Sequence, residues 1–187
     1  MRQPNKCYHT DSVTTIGDYA FNWCPSLTSV TIGDSVTTIG DEAFWDCDGL
    51  TSVTIGNSVT MSGENTFRGC DSLTSVTIPD SVTTIGGYAF SYCDNLTSVT
   101  IGDSVTTIGE HAFRDCISLT SVYFKATTPP SLGSEAFKYN KNGYYYNIGC
   151  AIYVSAESVK AYKAVSGWSG YTNYIVGYDF ETGEVVE

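Results

Sequence analysis

The stretch Val36-Thr37-Thr38-Ile39-Gly40-Asp41-Glu42-Ala43-Phe44-Trp45-Asp46-Cys47-Asp48-Gly49-Leu50-Thr51-Ser52-Val53-Thr54-Ile55-Gly56-Asn57-Ser58 decides the architecture, because it returns almost unchanged every 23 residues. Phe21, Phe44, Phe67, Phe90 and Phe113 occupy one position of the period. Cys24, Cys47, Cys70, Cys93 and Cys116 occupy another. A fixed short period with several apolar anchors per unit predicts a solenoid of stacked coils. One unit buries too little apolar surface to fold alone, so coil-to-coil packing and hydrogen bonding must hold the array together.

Five full units begin at Val13, Val36, Val59, Val82 and Val105. In each, a segment such as Leu27-Thr28-Ser29-Val30-Thr31-Ile32 reads L-x-x-V-x-I, a strand with Val30 and Ile32 inward and Ser29 and Thr31 outward. Val13 to Ile16 is a second short strand, closed by Gly17. Asp18-Tyr19-Ala20-Phe21 then reads as one helical turn, its leading acid capping exposed N–H groups. Asp41, Glu64 and Glu110 repeat that choice. The third unit departs from the pattern: Ser62 stands where the others carry Ile, and Thr66 replaces Ala. Met61 is expected to reach inward and fill the gap, and this coil is expected to be the softest.

The expected fold is an α/β repeat: a right-handed leucine-rich-repeat solenoid of 23-residue coils, two short strands and one helical turn each, closed by a C-terminal helix and strand cap. Residues 1–12 read as a degenerate N-terminal edge strand, with Cys7 and His9 in the slots of Val30 and Ile32. No polar capping unit precedes that strand, which predicts further repeats ahead of it; the alternative is that the strand is itself the cap. Residues 13–127 hold the five repeats. Residues 128–187 hold a partial sixth, with Pro129 in the Val slot, a Tyr-rich insertion from Lys138 to Gly149, and the cap. In that cap Ala151 to Val154 reads as a strand, and Ser155 caps an amphipathic helix from Ala156 to about Ser166 carrying Val159, Tyr162 and Val165. Trp168, Tyr171, Tyr174, Ile175 and Val176 are expected to cover the open end.

A formal charge of −11 opposes binding to the nucleic-acid backbone or an anionic membrane. No apolar run approaches the ~18 residues of a membrane-spanning helix. Met1 to Thr10 has no apolar core and does not read as a signal peptide, which leaves a cytoplasmic protein or an export signal outside this sequence. Enzyme chemistry needs a convergent set of unlike residues, and the two histidines, His9 and His111, lie in distant coils without H-x-x-x-H or C-x-x-C partners. The acidic column Asp18, Asp41, Glu64 offers one carboxylate per coil, too few for the six to eight oxygens of a calcium site. No catalytic residue, metal or cofactor is expected.

The cysteine column reads as buried free thiols. Coils stack ~4.8 Å apart, but their side chains run parallel, whereas a disulfide needs Cβ atoms about 3.8 Å apart and converging. Cys7 and Cys150 lie at the ends, and their state is open.

Two surfaces remain. The outward strand positions (Ser29 and Thr31 and their equivalents) scarcely differ between units and suit a solvated sheet. The turn edge differs most, at the pairs flanking Ala-Phe and Cys, and it carries exposed aromatic residues among polar ones, the composition of a recognition surface. Ordinary drift at solvated positions is the competing reading. Tyr19, Asn22, Trp23, Trp45, Asp46, Arg68, Tyr88, Tyr92, His111 and Arg114 are the candidate binding residues.

The unit I-G-x-x-A-F-x-x-C-x-x-L-T-S-V-T-I-P/G-x-S-V-T-x, running from Ile39-Gly40 and again from Ile85-Gly86, resembles the BspA-like leucine-rich repeat of bacterial surface proteins. The segments Lys125 to Pro130, Ile152 to Lys163, Gly167-Trp168 and Ile175 to Tyr178 resemble the usual end of such arrays, with Ser155 where a Pro is usual. The resemblance covers residues 13–180. It implies a cell-surface or secreted, non-enzymatic adhesion module that binds host matrix proteins such as fibronectin or fibrinogen. A carbohydrate-binding module and a structural spacer are the alternatives, and a monomer or weak end-to-end association is expected.

Overall fold

The computed structural model describes residues 6–7, 12–147 and 149–186. The chain winds into a β-solenoid whose coils repeat every 23 residues, each contributing one strand to each of two faces. The short-strand face is a parallel sheet of β2 (Thr15–Ile16), β4 (Thr38–Ile39), β6 (Met61–Ser62), β8 (Thr84–Ile85), β10 (Thr107–Ile108) and β12 (Ser131–Leu132), in that spatial order. The long-strand face contains β1 (Lys6–Cys7), β3 (Ser29–Thr31), β5 (Ser52–Thr54), β7 (Ser75–Ile78), β9 (Ser98–Ile101) and β11 (Ser121–Phe124). The register repeats the sequence period, with Thr15 beside Thr38 and Val30 beside Val53. Cys7 lies beside Val30, as the alignment expects, while Tyr8 and His9 fall outside the described residues.

Alternation sends the Val and Ile of each strand into the core. There they meet a file of phenylalanines: Phe21, Phe44, Phe67, Phe90, Phe113 and Phe137 stack with ring centroids 5.1–5.4 Å apart. The rings of Phe44 through Phe137 are fully buried. Coils can approach this closely because glycine recurs after the short strand. A Cβ added to Gly40 would lie 2.6 Å from the Asp18 main-chain nitrogen of the preceding coil.

The expected helical turn is absent; the segment from Asp18 to Trp23 and its equivalents form turns. Two residues four apart adopt left-handed backbone in each coil: Tyr19 and Trp23 at φ 58° and 56°, Tyr88 and Tyr92 at 56° and 60°. This geometry aims alternate N–H groups along the solenoid axis. Tyr19, Phe21 and Trp23 donate to the carbonyls of Asp41, Ala43 and Trp45, and each following coil repeats the set. A helix would spend those donors within its own segment; the stacked neighbour takes them here. The acidic residue has a matching role. Asp18 Oδ1 accepts from the Asp41 N–H at 2.9 Å, and Asp41 Oδ1 from that of Glu64 at 2.8 Å. These carboxylates tie coil to coil rather than capping a helix.

The third coil perturbs the short-strand face and interrupts the long-strand one. Met61 is 49% exposed and does not reach inward. Ser62, half-buried, accepts the Gly86 N–H on its hydroxyl at 3.2 Å, a donor that elsewhere goes to a main-chain carbonyl, as from Gly63 to Ile39. A void of about 10 Å³ lies beside Ser62, Phe67 and Phe90. Thr66 is buried and satisfied by the Gly63 carbonyl at 2.7 Å. On the long-strand face, β1, β3 and β5 form one sheet and β7 begins another.

That second sheet continues from β11 to β15 (Ala151–Ser155), β16 (Ile175–Asp179) and β17 (Glu184–Val186). The Tyr-rich insertion is an antiparallel hairpin of β13 (Lys138–Lys141) and β14 (Tyr144–Asn147). The helix expected from Ala156 to about Ser166 is a 3₁₀ turn at Ala156–Ser158 running directly into α1 (Val159–Ala164); extended Val165 ends it, and a separate 3₁₀ segment follows at Ser166–Tyr171. Ser155 caps none of them; its hydroxyl pairs with that of Ser158 at 2.6 Å. Tyr162 is buried but Val165 is 40% exposed. Tyr162, Trp168 and Tyr171 pack on Phe124 and Phe137, and the indole N–H of Trp168 donates to the Pro130 carbonyl.

Candidate functional site

The turn edge carries ten residues singled out from the sequence, and the structure gathers half of them. Arg68 is the centre. Its guanidinium lies 5.5 Å from the Trp45 ring, 5.7 Å from Tyr88 and 5.2 Å from Tyr92, within range of cation–π attraction to all three. The residues come from three successive coils, so the 23-residue period brings them together. Arg68 Nη1 donates to Asn65 Oδ1 at 3.2 Å. His111 extends the row one coil further, its ring 4.6 Å from that of Tyr88. Its Nδ1 lies 3.6 Å from Glu135 and, among the described residues, has no hydrogen-bond partner.

The other candidates are placed differently. Tyr19 and Trp23 belong to the first full coil and are 58% and 69% exposed. The charges of Glu42 and Asp18 and some burial hold the Tyr19 hydroxyl pKa above its usual value, Glu42 contributing most. Asn22 is half-buried in the same turn. Asp46 is held above the usual carboxylate range by burial and by Asp48, against the pull of Arg68. Arg114 pairs with Asp115 at 3.1 Å, and the buried Asp115 accepts the Asn140 N–H at 2.6 Å, pinning the hairpin.

The cysteine column lies just inside this edge and is chemically quiet. Cys24, Cys47, Cys70, Cys93, Cys116 and Cys150 are free. Cys47, Cys70, Cys93 and Cys116 each donate a weak S–H bond to a phenylalanine carbonyl of the preceding coil, at 3.0–3.3 Å. Burial pushes the Cys47 thiol up to about 11 and those of Cys93 and Cys150 to about 12. Such thiols are poor nucleophiles. Among the described residues no cluster of three or more His, Cys, Asp or Glu could hold a metal ion, and no helix is long and apolar enough to cross a membrane.

Two features of the long-strand face escaped the sequence reading. One is a groove of about 620 Å³ between β5 and β7. The other is an aromatic group near the C-terminus: Tyr123 stacks on Tyr153 at 4.7 Å, with Tyr178 and Phe180 beside them. The break in the outward Thr file at Tyr123 was the available signal for the second.

The sequence profile of the BspA type leucine rich repeat region matches residues 14–143 in six copies. A leucine-rich repeat protein of T. pallidum shares 30% identity over 65% of this chain, with a TM-score of 0.59. The pneumococcal vaccine antigen PcpA shares 19% identity over 78% of the chain, with a TM-score of 0.60. The chain spans 63% and 37% of the lengths of those two structures. No functionally curated protein matches it significantly.

Proposed function

We propose that this chain, which belongs to the BspA-type leucine-rich-repeat family, is a non-enzymatic protein-binding module of a bacterial cell-surface or secreted protein, a right-handed solenoid acting as monomer or in weak end-to-end association. Its partner in this reading is a host matrix protein, engaged by the turn edge.

One observation carries the reading: bulky aromatic residues occupy left-handed backbone on that edge. Tyr19, Trp23, Tyr88 and Tyr92 all have φ between 56° and 60°. Asn65, Asp46 and Gly69 show that the same positions accept residues that tolerate this conformation. Bulky residues there are uncommon and strained, and strain of this kind gathers at functional sites. Two of these rings, Tyr88 and Tyr92, surround Arg68 together with Trp45, and Trp, Tyr and Arg dominate binding energy at protein interfaces.

The test is binding to immobilised fibronectin and fibrinogen by wild type and by a Trp23→Ala, Trp45→Ala, Tyr92→Ala variant. We expect a loss of about 30-fold or more, the effect of removing a residue worth about 2 kcal/mol, with little change in melting temperature. Unchanged binding by the variant would reject the edge. The stacked Tyr123 and Tyr153 favour a second reading, glycan binding through a flat aromatic platform, which a glycan array separates from the first. Silence in both screens would favour a spacer.

A further inference from the structure

The long-strand face is interrupted at one place, and the interruption has the form of a slot. Thr51 N–H and Oγ1 both donate to the Thr28 carbonyl, Thr97 bonds Thr74 in the same two ways, and Thr120 bonds Thr97. Among the described residues no such bond joins Thr74 to Thr51, and none joins β5 to β7 anywhere along their length. Each strand is therefore the last of its sheet, and the two unpaired edges face each other across the groove. Val53 and Ile55, which line it, are half-buried, whereas Val30, Val76, Val99 and Val122 are buried.

Two sequence differences lie at the gap. In later coils Gly102 donates its N–H to Ile78, and Lys125 donates to Ile101. The residue placed to close β7 onto Ile55 in the same way is Pro79, which has no N–H to give. Ser62, in the segment between β5 and β7, replaces the Ile that would fill the core beneath and diverts the Gly86 donor onto its hydroxyl. The other two sides cross this region intact: the turn ladder through Glu42 to Glu64, Phe44 to Thr66 and Asp46 to Arg68, and the short-strand face through β4 and β6, where Thr60 donates to Thr37 and Gly63 to Ile39. Together they leave the long-strand face as the one side that can open, with the slot widening about the two bonded sides opposite it.

We propose that the slot between β5 and β7 is a strand-addition site that takes up an extended polypeptide segment of alternating apolar and Ser/Thr residues. Two parallel edges present main-chain donors and acceptors at every second residue, and another extended main chain is their complement. A sugar or a phosphate backbone does not supply N–H and C=O groups alternating at ~3.3 Å per residue. Alternation is required because Val53 and Ile55 line the inner wall while Ser75 and Thr77 lie on the outer side of β7. The segment Thr51 to Ile55 offers about 16 Å of edge at that rise, enough for five residues. Lys125 and Asp80, 3.5 Å apart, close one end with opposite charges, so the occupant is uncharged there. This site is separate from the turn edge and stands without it.

The probe is the capped hexapeptide with the sequence of Leu73 to Ile78, measured by calorimetry and amide exchange against the full chain. A Thr54→Cys, Thr77→Cys variant places two exposed thiols on neighbouring coils, and a short bis-alkylating cross-linker, which can span parallel side chains as a disulfide does not, staples the slot shut. We expect the peptide to bind wild type and the variant before cross-linking and to slow exchange at Val53 and Thr77. Stapling should weaken binding about tenfold or more, the worth of one pair of backbone hydrogen bonds. Should the staple fail to form, Pro79→Gly restores the missing donor and should weaken binding likewise. No binding to wild type, or equal binding to the open and closed forms, would overturn the proposal. The Trp23, Trp45, Tyr92 alanine variant should bind the peptide as wild type does, which keeps this outcome distinct from failure of the edge.

Discussion

At the scale of single residues, backbone conformation is the least expected result. Left-handed φ at Tyr19, Trp23, Tyr88 and Tyr92 is invisible to a reading by propensity, because aromatic residues do not announce it. The signal lay in comparing coils: the third carries Asn65 and Gly69 at these same two positions, residues that favour this region. Trp23 allows the effect to be isolated, being 69% exposed at φ 56°. Trp23→Gly and Trp23→Ala both remove the indole, so their difference reports backbone preference alone. The glycine variant should be more stable than the alanine variant by about 1 kcal/mol in urea unfolding. Equal midpoints would show that the turn does not hold the residue in this conformation.

At the scale of elements, strands were legible and turns were not. The L-x-x-V-x-I pattern located each long strand because one face must be apolar, and the Val and Ile positions are the ones buried except in β5, where Val53 and Ile55 are half-buried. The turn segment misled because Asp-x-Ala-Phe looks like a helix start in isolation, while its N–H partners lie 22 residues away in the next coil. The hairpin of β13 and β14 was signalled by Asn142-Gly143, a pair suited to the two left-handed turn residues observed at φ 54° and 83°. The third coil was marked as irregular by Ser62, though the compensation expected from Met61 is absent. Ser62→Ile should restore the apolar file, fill the void and return the Gly86 donor to a main-chain carbonyl. A gain of about 1 kcal/mol is expected in unfolding free energy, with slower amide exchange through the third coil. A loss would mean that the Ser62 hydroxyl matters more than the missing volume.

At the scale of the whole molecule, the thiol column links stability to pH. Cys47, Cys70, Cys93, Cys116 and Cys150 all have pKa values raised by burial, to about 11 at Cys47 and about 12 at Cys93 and Cys150. A thiol raised in the folded state and ordinary in the unfolded one contributes stability that is complete below its unfolded pKa of about 8.5. That contribution is lost as pH climbs from there through the folded value. Each such thiol should steepen the decline by up to about 1.4 kcal/mol per pH unit. Urea midpoints under reducing conditions should therefore be flat from neutrality to about pH 8.5, then fall sharply. A decline no steeper than one thiol's worth would show that the column is not shielded from water. The column itself was readable from five cysteines in register; the depth of its shielding was not, since that depends on how closely the coils approach.

The turn ladder also has a polarity that the strands lack. Every one of its N–H groups from Tyr19 to Asp115 points toward the higher-numbered coil, and every partner carbonyl points back. One end of such a stack is a row of acceptors and the other a row of donors, as in a bar magnet. Two molecules related by a twofold axis would oppose like with like along this edge, so only a same-sense arrangement, tail to head, could extend the row across a junction.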